Sequence, residues 1–167
     1  MKRDDFEKFR FFAVLAFVAL ADQVLKLLYL AFPFEFEASA LGIRLLGFHL
    51  IRNTGAAFGI LKGQALILSA ISIAFIAAAI YKLKEIKKEG LDIPVALICG
   101  GALGNLIDRL IRGFVVDFVS ILNIPYFNLA DASITVGVVL AAAMVIRKEA
   151  ERKKAKQGIN LKENKNI

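Results

Sequence analysis

Four long apolar runs constrain the fold of this chain more than any other feature. A helix that crosses a bilayer needs about 20 mostly apolar residues, with a range of roughly 17–25. The runs that reach this length are Phe9–Ala31, Gln64–Tyr81, Pro94–Ile111 and Ala130–Ile146. Hydrophobic residues make up 58% of the 167 positions, which is too many for a soluble domain that must cover itself with polar side chains. The sequence therefore predicts an all-α membrane protein with four transmembrane helices.

The positions of Lys and Arg predict how these helices are oriented. Of the 22 basic residues, 16 lie in three places: residues 1–10, the loop after the second run, and the tail from Arg147. Basic residues are enriched on the cytoplasmic side of membrane proteins. Both termini and the middle loop are therefore expected in the cytoplasm, with 32–63 and 112–130 outside. The net charge is +7, but most of the basic residues flank apolar runs, so a nucleic-acid partner is not expected. The first run is interpreted as a retained anchor rather than a cleaved signal peptide.

The segment 32–63 has a different periodicity from the apolar runs. Apolar and polar residues alternate in Phe34-Glu35-Phe36-Glu37 and in Ile43-Arg44-Leu45, and Gly42 and Gly47 interrupt the pattern. Alternation of this kind favours short antiparallel strands, which gives the helical protein a small β element. The stretch 53–59 that follows is small and glycine-rich. It is compatible either with close approach of the backbone to a ligand or helix or with an ordinary turn.

Two charged residues interrupt the first apolar run. Charged side chains at membrane depth are costly, so each needs a physical reason. Asp22 and Lys26 are four residues apart and share one helix face. At 1.5 Å per residue from Phe9, they lie roughly 20 Å and 26 Å along the helix. A structural ion pair is favoured over direct chemistry, because membrane helices commonly tolerate charges by pairing them.

The third run carries polar residues at a similar depth. Asn105, Asp108 and Arg109 lie roughly 17–22 Å from Pro94 along a helix. Asn105 and Arg109 share a face, and the planar guanidinium of Arg109 suits either a substrate carbonyl or a carboxylate. Asp108 and Arg112 are also four apart and are interpreted as an ion pair at the end of the run rather than as site residues.

Two carboxylates flank the start of the last run. Asp117 and Asp131 have no Lys or Arg between them, and Asp131 begins the run. Two carboxylates held close together cannot both ionise cheaply, so one keeps its proton. Such a pair suits acid–base hydrolysis of a peptide bond. A structural role or a role in transport fits the spacing equally well, and a small carboxylate-dependent membrane transporter is the alternative function.

Other catalytic chemistries have little support in the sequence. His49 is the only histidine, and no cluster of metal-ligand residues accompanies it. Cys99 is the only cysteine and lies in an apolar run, as expected for a small buried hydrophobic residue. Neither a metal nor a cofactor is expected.

The motifs resemble those of the lipoprotein signal peptidase family (signal peptidase II), the membrane aspartyl proteases of bacteria. Five blocks occur in the order found in that family. They are Asp22–Lys26, Asn53–Gly59, Gly100–Arg109, Val116–Phe118 and Phe127–Asp131. One block alone would be a weak signal, whereas five in order are specific. The family commonly has tryptophan near these blocks, whereas this chain has none.

The resemblance implies an aspartic endopeptidase that removes the signal peptide from diacylglyceryl-modified prolipoproteins by cutting before the lipidated cysteine. It implies that Asp117 and Asp131 are the catalytic pair and that Asp22 and Lys26 support the site. The implied substrate-binding residues are Asn53, Gly55, Asn105, Arg109 and Asn128.

The resemblance also implies the surroundings of the site. An extracytoplasmic β-cradle is expected over 32–63, and a short outer helix near 118–126 would form a lid within 113–130. Residues 1–150 would form the transmembrane peptidase domain and residues 151–167 a charged cytoplasmic tail. The protein is expected to be a monomer in the bacterial inner membrane, with membrane lipids as partners and its active site toward the extracytoplasmic face.

Overall fold

The structure is a computed structural model and describes residues 3–55 and 64–163. Positions 56–59 of the predicted glycine-rich stretch lie outside the described residues. In chain order the helices are α1 (Arg3–Ala31), α2 (Ala65–Tyr81), α3 (Leu83–Lys88), α4 (Asp92–Arg112) and α5 (Leu129–Glu163). The strands are β1 (Phe36–Ala40), β2 (Ile43–Asn53) and β3 (Val115–Ile121).

Helices form at all four predicted apolar runs. Within the described residues, three helical segments are long and apolar enough to cross a membrane: Asp4–Ala31, Asp92–Arg112 and Leu129–Lys154. The fourth, α2, is also apolar but has only 17 residues. The last helix runs on to Glu163, beyond the end predicted for the apolar run. The chain is thus mostly helical.

The central helix of the bundle is α4, which packs against α1, α2 and α5. Small residues allow these close contacts, as is common between membrane helices. A Cβ atom added at Gly101 would lie 2.4 Å from the carbonyl oxygen of Ala130 in α5. One added at Gly104 would lie 2.6 Å from Oδ2 of Asp22 in α1. Glycine at these two positions therefore lets α1 and α5 approach α4 at the level of the buried polar residues.

The three strands form one antiparallel sheet in the order β1-β2-β3. The first two are joined by a tight turn at Leu41 and Gly42, whose φ angles are 52° and 75°. This confirms the antiparallel strands predicted in the segment 32–63. The third strand comes from beyond α4, which ends at Gly113 in a left-handed conformation with φ 76°. That reversal carries β3 back along β2 and places Asp117 opposite Ile51.

The prediction of a short helix near 118–126 is wrong. Residues Val115–Ile121 form β3, and the backbone then turns at Leu122 and Asn123, where φ is 51° and 60°. Phe127 pairs with Val119 as an isolated bridge. The β-branched and aromatic residues of this segment favour a strand, and pairing with β2 satisfies their backbone polar groups. The helix was implied by the resemblance, whereas the local sequence favours a strand.

An aromatic cluster fixes the sheet to the end of α1. The ring of Tyr29 stacks on Phe118 with a centroid distance of 5.0 Å and an interplanar angle of 20°. Tyr29 also packs on Phe34 at 5.3 Å and donates its hydroxyl to the carbonyl oxygen of Phe34. Phe34 in turn packs on Phe48 of β2 at 5.2 Å. Because Phe118 follows Asp117 directly, these contacts help to set the position of that carboxylate above the helices.

Candidate active site

Asp117 projects from β3 into a buried polar pocket. Its side chain is 1% exposed. Its two oxygens accept hydrogen bonds from different amides: Oδ2 from Nδ2 of Asn53 at 2.8 Å, and Oδ1 from Nδ2 of Asn128 at 2.7 Å. The first amide lies at the end of β2 and the second just before α5. The carboxylate is therefore held between the sheet and the helix bundle.

Asp131 lies in the first turn of α5 and is half-buried. Its Oδ1 accepts a hydrogen bond from Nδ2 of Asn105 at 2.8 Å. Its backbone N–H donates to Oδ1 of Asn128 at 2.9 Å, which is the geometry of a helix N-cap. An acidic side chain in the first turn also faces the positive end of the helix dipole.

Two asparagine side chains connect the carboxylates. Asn128 donates from Nδ2 to Asp117 and also to Oδ1 of Asn105 at 3.1 Å, and Asn105 donates to Asp131. Burial raises the pKa of Asp117 to about 7 from its ordinary 3.8, although the hydrogen bond from Asn53 lowers it. The negative charge of Asp131 raises the pKa of Asp117 further. Near neutral pH, the pair can therefore hold one proton between a protonated and an ionised carboxyl group.

The predicted ion pair between Asp22 and Lys26 is present beneath the two carboxylates. Nζ of Lys26 lies 2.7 Å from Oδ2 of Asp22 and 2.9 Å from Oδ2 of Asp108, and all three side chains are fully buried. Lys26 also donates to Oδ1 of Asn105 at 3.0 Å. The predicted contact between Asp108 and Arg112 is present too. Sequence reasoning missed the contact of Asp108 with Lys26.

Arg109 reaches the site from α4. Its Nη2 donates to the carbonyl oxygen of Gly55 at 3.3 Å. The N–H of Gly55 donates to Oδ1 of Asn53 at 2.9 Å, and Asn53 holds Asp117. All nine predicted site residues thus belong to one connected set of hydrogen bonds and ion pairs. Their roles in catalysis and binding remain predictions.

Gln23 and Asp108 belong to this set but were not predicted as site residues. Gln23 donates from Nε2 to the carbonyl oxygen of Gly104 at 2.9 Å and to Oδ1 of Asp108 at 3.1 Å. Its Oε1 accepts from Arg112 at 3.0 Å. The available signal was their depth, because polar side chains at the same level of neighbouring membrane helices tend to find one another.

Fold and site together define a class of protein. The chain has membrane-length helices, and it joins two carboxylates through amides in a largely buried site. Such an arrangement suits acid–base chemistry, so fold and site indicate the class of membrane-bound enzymes.

The comparisons with known proteins identify the family. The sequence profile described as Signal peptidase (SPase) II matches residues 14–147. The chain belongs to the signal peptidase II family and is a multi-pass membrane protease. This confirms the resemblance found in the sequence motifs.

Individual relatives agree with this assignment. A lipoprotein signal peptidase of Halalkalibacterium halodurans is 47% identical over 111 residues, which cover 63% of this chain and 71% of that protein. The lipoprotein signal peptidase of Lactobacillus johnsonii is 40% identical over 134 residues, which cover 77% and 86%. These matches do not favour the alternative of a small transporter.

Solved structures share the fold. A bacterial membrane enzyme solved at 2.3 Å resolution superposes with a TM-score of 0.76 at 31% identity, covering 85% of this chain and 90% of that one. A second, solved at 1.9 Å, has a TM-score of 0.68 at 33% identity and covers 81% and 92%.

Proposed function

We propose that this protein removes signal peptides from diacylglyceryl-modified prolipoproteins by cutting before the lipidated cysteine, with Asp117 and Asp131 as the catalytic pair. The observation that carries the proposal is the connection between these two carboxylates. Asn128 holds Asp117 and caps the helix turn that bears Asp131, while Asn105 holds Asp131 itself. Membership of the signal peptidase II family supports the choice of substrate class.

The chemistry uses one ionised and one protonated carboxyl group. The ionised member removes a proton from water as the water oxygen bonds to the scissile carbonyl carbon. The protonated member gives its proton to the carbonyl oxygen, which forms a neutral tetrahedral diol. The aspartate that took the proton of water then gives it to the amide nitrogen as the C–N bond breaks. The diol returns a proton to the other aspartate, and a carboxylic acid and an amine are released. Because the pair titrates as a unit, neither role is assigned to one aspartate.

We assign substrate binding to the polar residues next to the two carboxylates. Asn53 is the last residue of β2, Gly55 lies two residues further on, and Asn53 contacts Asp117. Arg109 binds the carbonyl oxygen of Gly55 with one N–H and has five donors in total, so it can also reach a substrate carbonyl. Asn105 and Asn128 hold the carboxylates from beneath. Asp22 and Lys26 support this arrangement.

The proposed membrane arrangement has four spans, with both termini in the cytoplasm and the sheet and active site on the extracytoplasmic side of the bacterial inner membrane. At 1.5 Å per residue, α2 is roughly 25 Å long, at the short end of what crosses a hydrocarbon core of about 30 Å. The sheet serves as the cradle for the substrate, next to membrane lipids. Residues 1–150 form the peptidase domain and 151–167 the tail of a monomer.

Two comparisons test the proposal. Purified Asp117→Asn and Asp131→Asn variants are expected to insert normally and to lose cleavage of a diacylglyceryl precursor, by about 10²–10⁴-fold or more. Full activity in either variant would rule out its place in the pair. Cleavage of the lipidated precursor is also compared with that of its unlipidated form. Equal rates on both would rule out the requirement for the lipid.

A further inference from the structure

A second pair of carboxylates lies beneath the first and contacts the backbone beside each proposed catalytic residue. Oδ1 of Asp22 accepts the backbone N–H of Ala130 at 2.9 Å, and Ala130 immediately precedes Asp131. Oδ2 of Asp108 accepts the backbone N–H of Val116 at 2.9 Å.

The two contacts are equivalent, because Val116 immediately precedes Asp117. Asp22 and Asp108 are in turn held by the same ammonium group, that of Lys26. A single cation thus links the backbone of β3 to the first turn of α5.

We propose that Asp22, Lys26 and Asp108 form a brace that sets the separation of Asp117 and Asp131. This inference rests on the proposed function. The three brace residues are positioning residues and do not touch the reacting atoms. Asp108 has a role in this brace equal to that of Asp22, and each acts through one backbone N–H group, that of Val116 for Asp108 and that of Ala130 for Asp22.

Elementary hydrogen bonding explains why these contacts fix the backbone. The first N–H groups of a helix have no acceptor within the helix. In α5, Asn128 satisfies the N–H of Asp131, and Asp22 satisfies that of Ala130. Removing either acceptor would leave a buried donor unpaired, which costs about 1–3 kcal/mol and favours movement of the turn. The same reasoning applies to Val116 in β3.

The brace also fixes one side-chain orientation within the site. The ammonium group of Lys26 has three hydrogens, and Asp22, Asp108 and Oδ1 of Asn105 provide an acceptor for each. Asn128 also donates to Oδ1 of Asn105. Since both neighbours are donors, the oxygen of the Asn105 amide must face them, and its NH₂ group must face Asp131.

The competing explanation is that these buried charges only stabilise the fold. The opposite end of the same helix pair provides a matched control. There Arg10 of α1 binds Oδ2 of Asp92 in α4 at 2.5 Å and 2.9 Å, and Asp92 is 3% exposed. This ion pair joins the same two helices but contacts neither Asp117 nor Asp131. Breaking it should reduce stability without moving the catalytic pair.

The test compares two substitutions at Asp108 that separate charge from position. Asp108→Asn loses the charge but keeps an oxygen for Val116, while its NH₂ group replaces the oxygen that accepts from Gln23 and Arg112. Asp108→Glu keeps the charge and displaces it by one methylene. The full chain is purified, and kcat, KM and Tm are measured with a diacylglyceryl precursor. We expect Asp108→Glu to lower kcat about 100-fold, as a displacement of about 1 Å can do, with KM unchanged. We expect Asp108→Asn to stay within about tenfold of the wild type.

Asp92→Asn is the control and should lower Tm while leaving kcat unchanged. The brace is overturned if Asp108→Glu keeps wild-type kcat, if Asp108→Asn is the more damaged variant, or if Asp92→Asn loses as much kcat as the Asp108 variants at an equal loss of Tm. Where Asp108 variants do not fold, Asp22→Asn and Asp22→Glu give the same comparison through Ala130. A wild-type protein that does not cleave the precursor would instead contradict the proposed function.

Discussion

The two ends of the α1–α4 helix pair carry the same kind of interaction in different surroundings. At the sheet end, the side chains of Asp22, Lys26 and Asp108 are all 0% exposed. At the opposite end, which we call the tail end, the pairs reach solvent through at least one partner. The side chain of Arg10 is 37% exposed in its pair with Asp92. Two further examples are Lys87–Asp4, with side chains 7% and 76% exposed, and Lys148–Glu89, with side chains 37% and 43% exposed.

This difference determines what each cluster can do. A buried ion pair is destabilising when one partner is lost, because an uncompensated charge remains, whereas an exposed pair contributes little. At the sheet end, every polar atom needs a protein partner, so the geometry is fixed. At the tail end, at least one partner of each of these pairs reaches water, so the loss of a partner can lower stability but does not move Asp117 or Asp131. We therefore infer that the tail-end pairs link helices, whereas the sheet-end cluster positions Asp117 and Asp131.

The largest expected difference is between two lysine substitutions. Lys26→Met leaves Asp22 buried without a cation and Asp108 with Arg112 alone, and it should cost at least about 3–5 kcal/mol, enough to prevent recovery of folded protein. Lys87→Met removes a lysine whose partner, Asp4, remains solvated, and it should fold normally. Size-exclusion chromatography in detergent and thermal unfolding measure both. Equal recovery and equal Tm would show that burial does not distinguish the two ends.

A smaller effect is expected from adding one methyl group at the sheet end. The Cβ of Gly104→Ala would lie 2.6 Å from Oδ2 of Asp22, so that carboxylate must move. If Asp22 positions Ala130, kcat should fall by up to about 100-fold while the protein still folds. Precursor cleavage and Tm are measured together. A Gly104→Ala variant with normal kcat would mean that the position of Asp22 is not critical.

A shift in pH dependence is expected from Asn53→Ala. The hydrogen bond from Asn53 lowers the pKa of Asp117, so its removal should raise that pKa above its present value of about 7. More of the pair is then protonated at a given pH, and the acidic limb of the rate profile should move to higher pH. Thr54→Ala, at the exposed neighbouring residue, is the control. If the acidic limb of the rate profile stays in place or moves to lower pH, Asn53 does not lower the pKa of Asp117.

The smallest effect is expected at the tail end from Lys148→Gln. The hydrogen bond from Lys148 holds the pKa of Glu89 below its usual value, and both side chains are partly exposed. Loss of the lysine should return the pKa of Glu89 toward its ordinary value with no measurable change in Tm or kcat. Titration of Glu89 by NMR and thermal unfolding provide the readouts. A clear drop in Tm would place this pair with the buried ones.

The sequence predicted the helices and the meeting of polar groups because both depend on regular geometry. Counting 1.5 Å per residue placed Asp22, Asn105 and Asp108 at a similar depth, roughly 17–22 Å along their helices. In the structure Lys26 contacts Asn105 at 3.0 Å and Asp108 at 2.9 Å, and the contact with Asp108 was not predicted. The sequence did not reveal that Asp108 accepts a hydrogen bond from the backbone of Val116, because this contact depends on the chain reversal at Gly113 and on the pairing of β3 with β2. The strand itself was predictable from the residue types of 115–121.

The spacing within the buried cluster has a consequence for biosynthesis. Asp22 and Lys26 are four residues apart on α1, and Asp108 and Arg112 are four apart on α4, with the acid first each time. On each helix, this acid can therefore enter the bilayer already paired with a base one turn further along. When α4 arrives beside α1, Lys26 gains Asp108 as a second carboxylate, and the cluster of two acids and two bases stays neutral. Assembly of the cluster then requires only new contacts between helices that have already inserted, and none of these four charges crosses the hydrocarbon core without a partner.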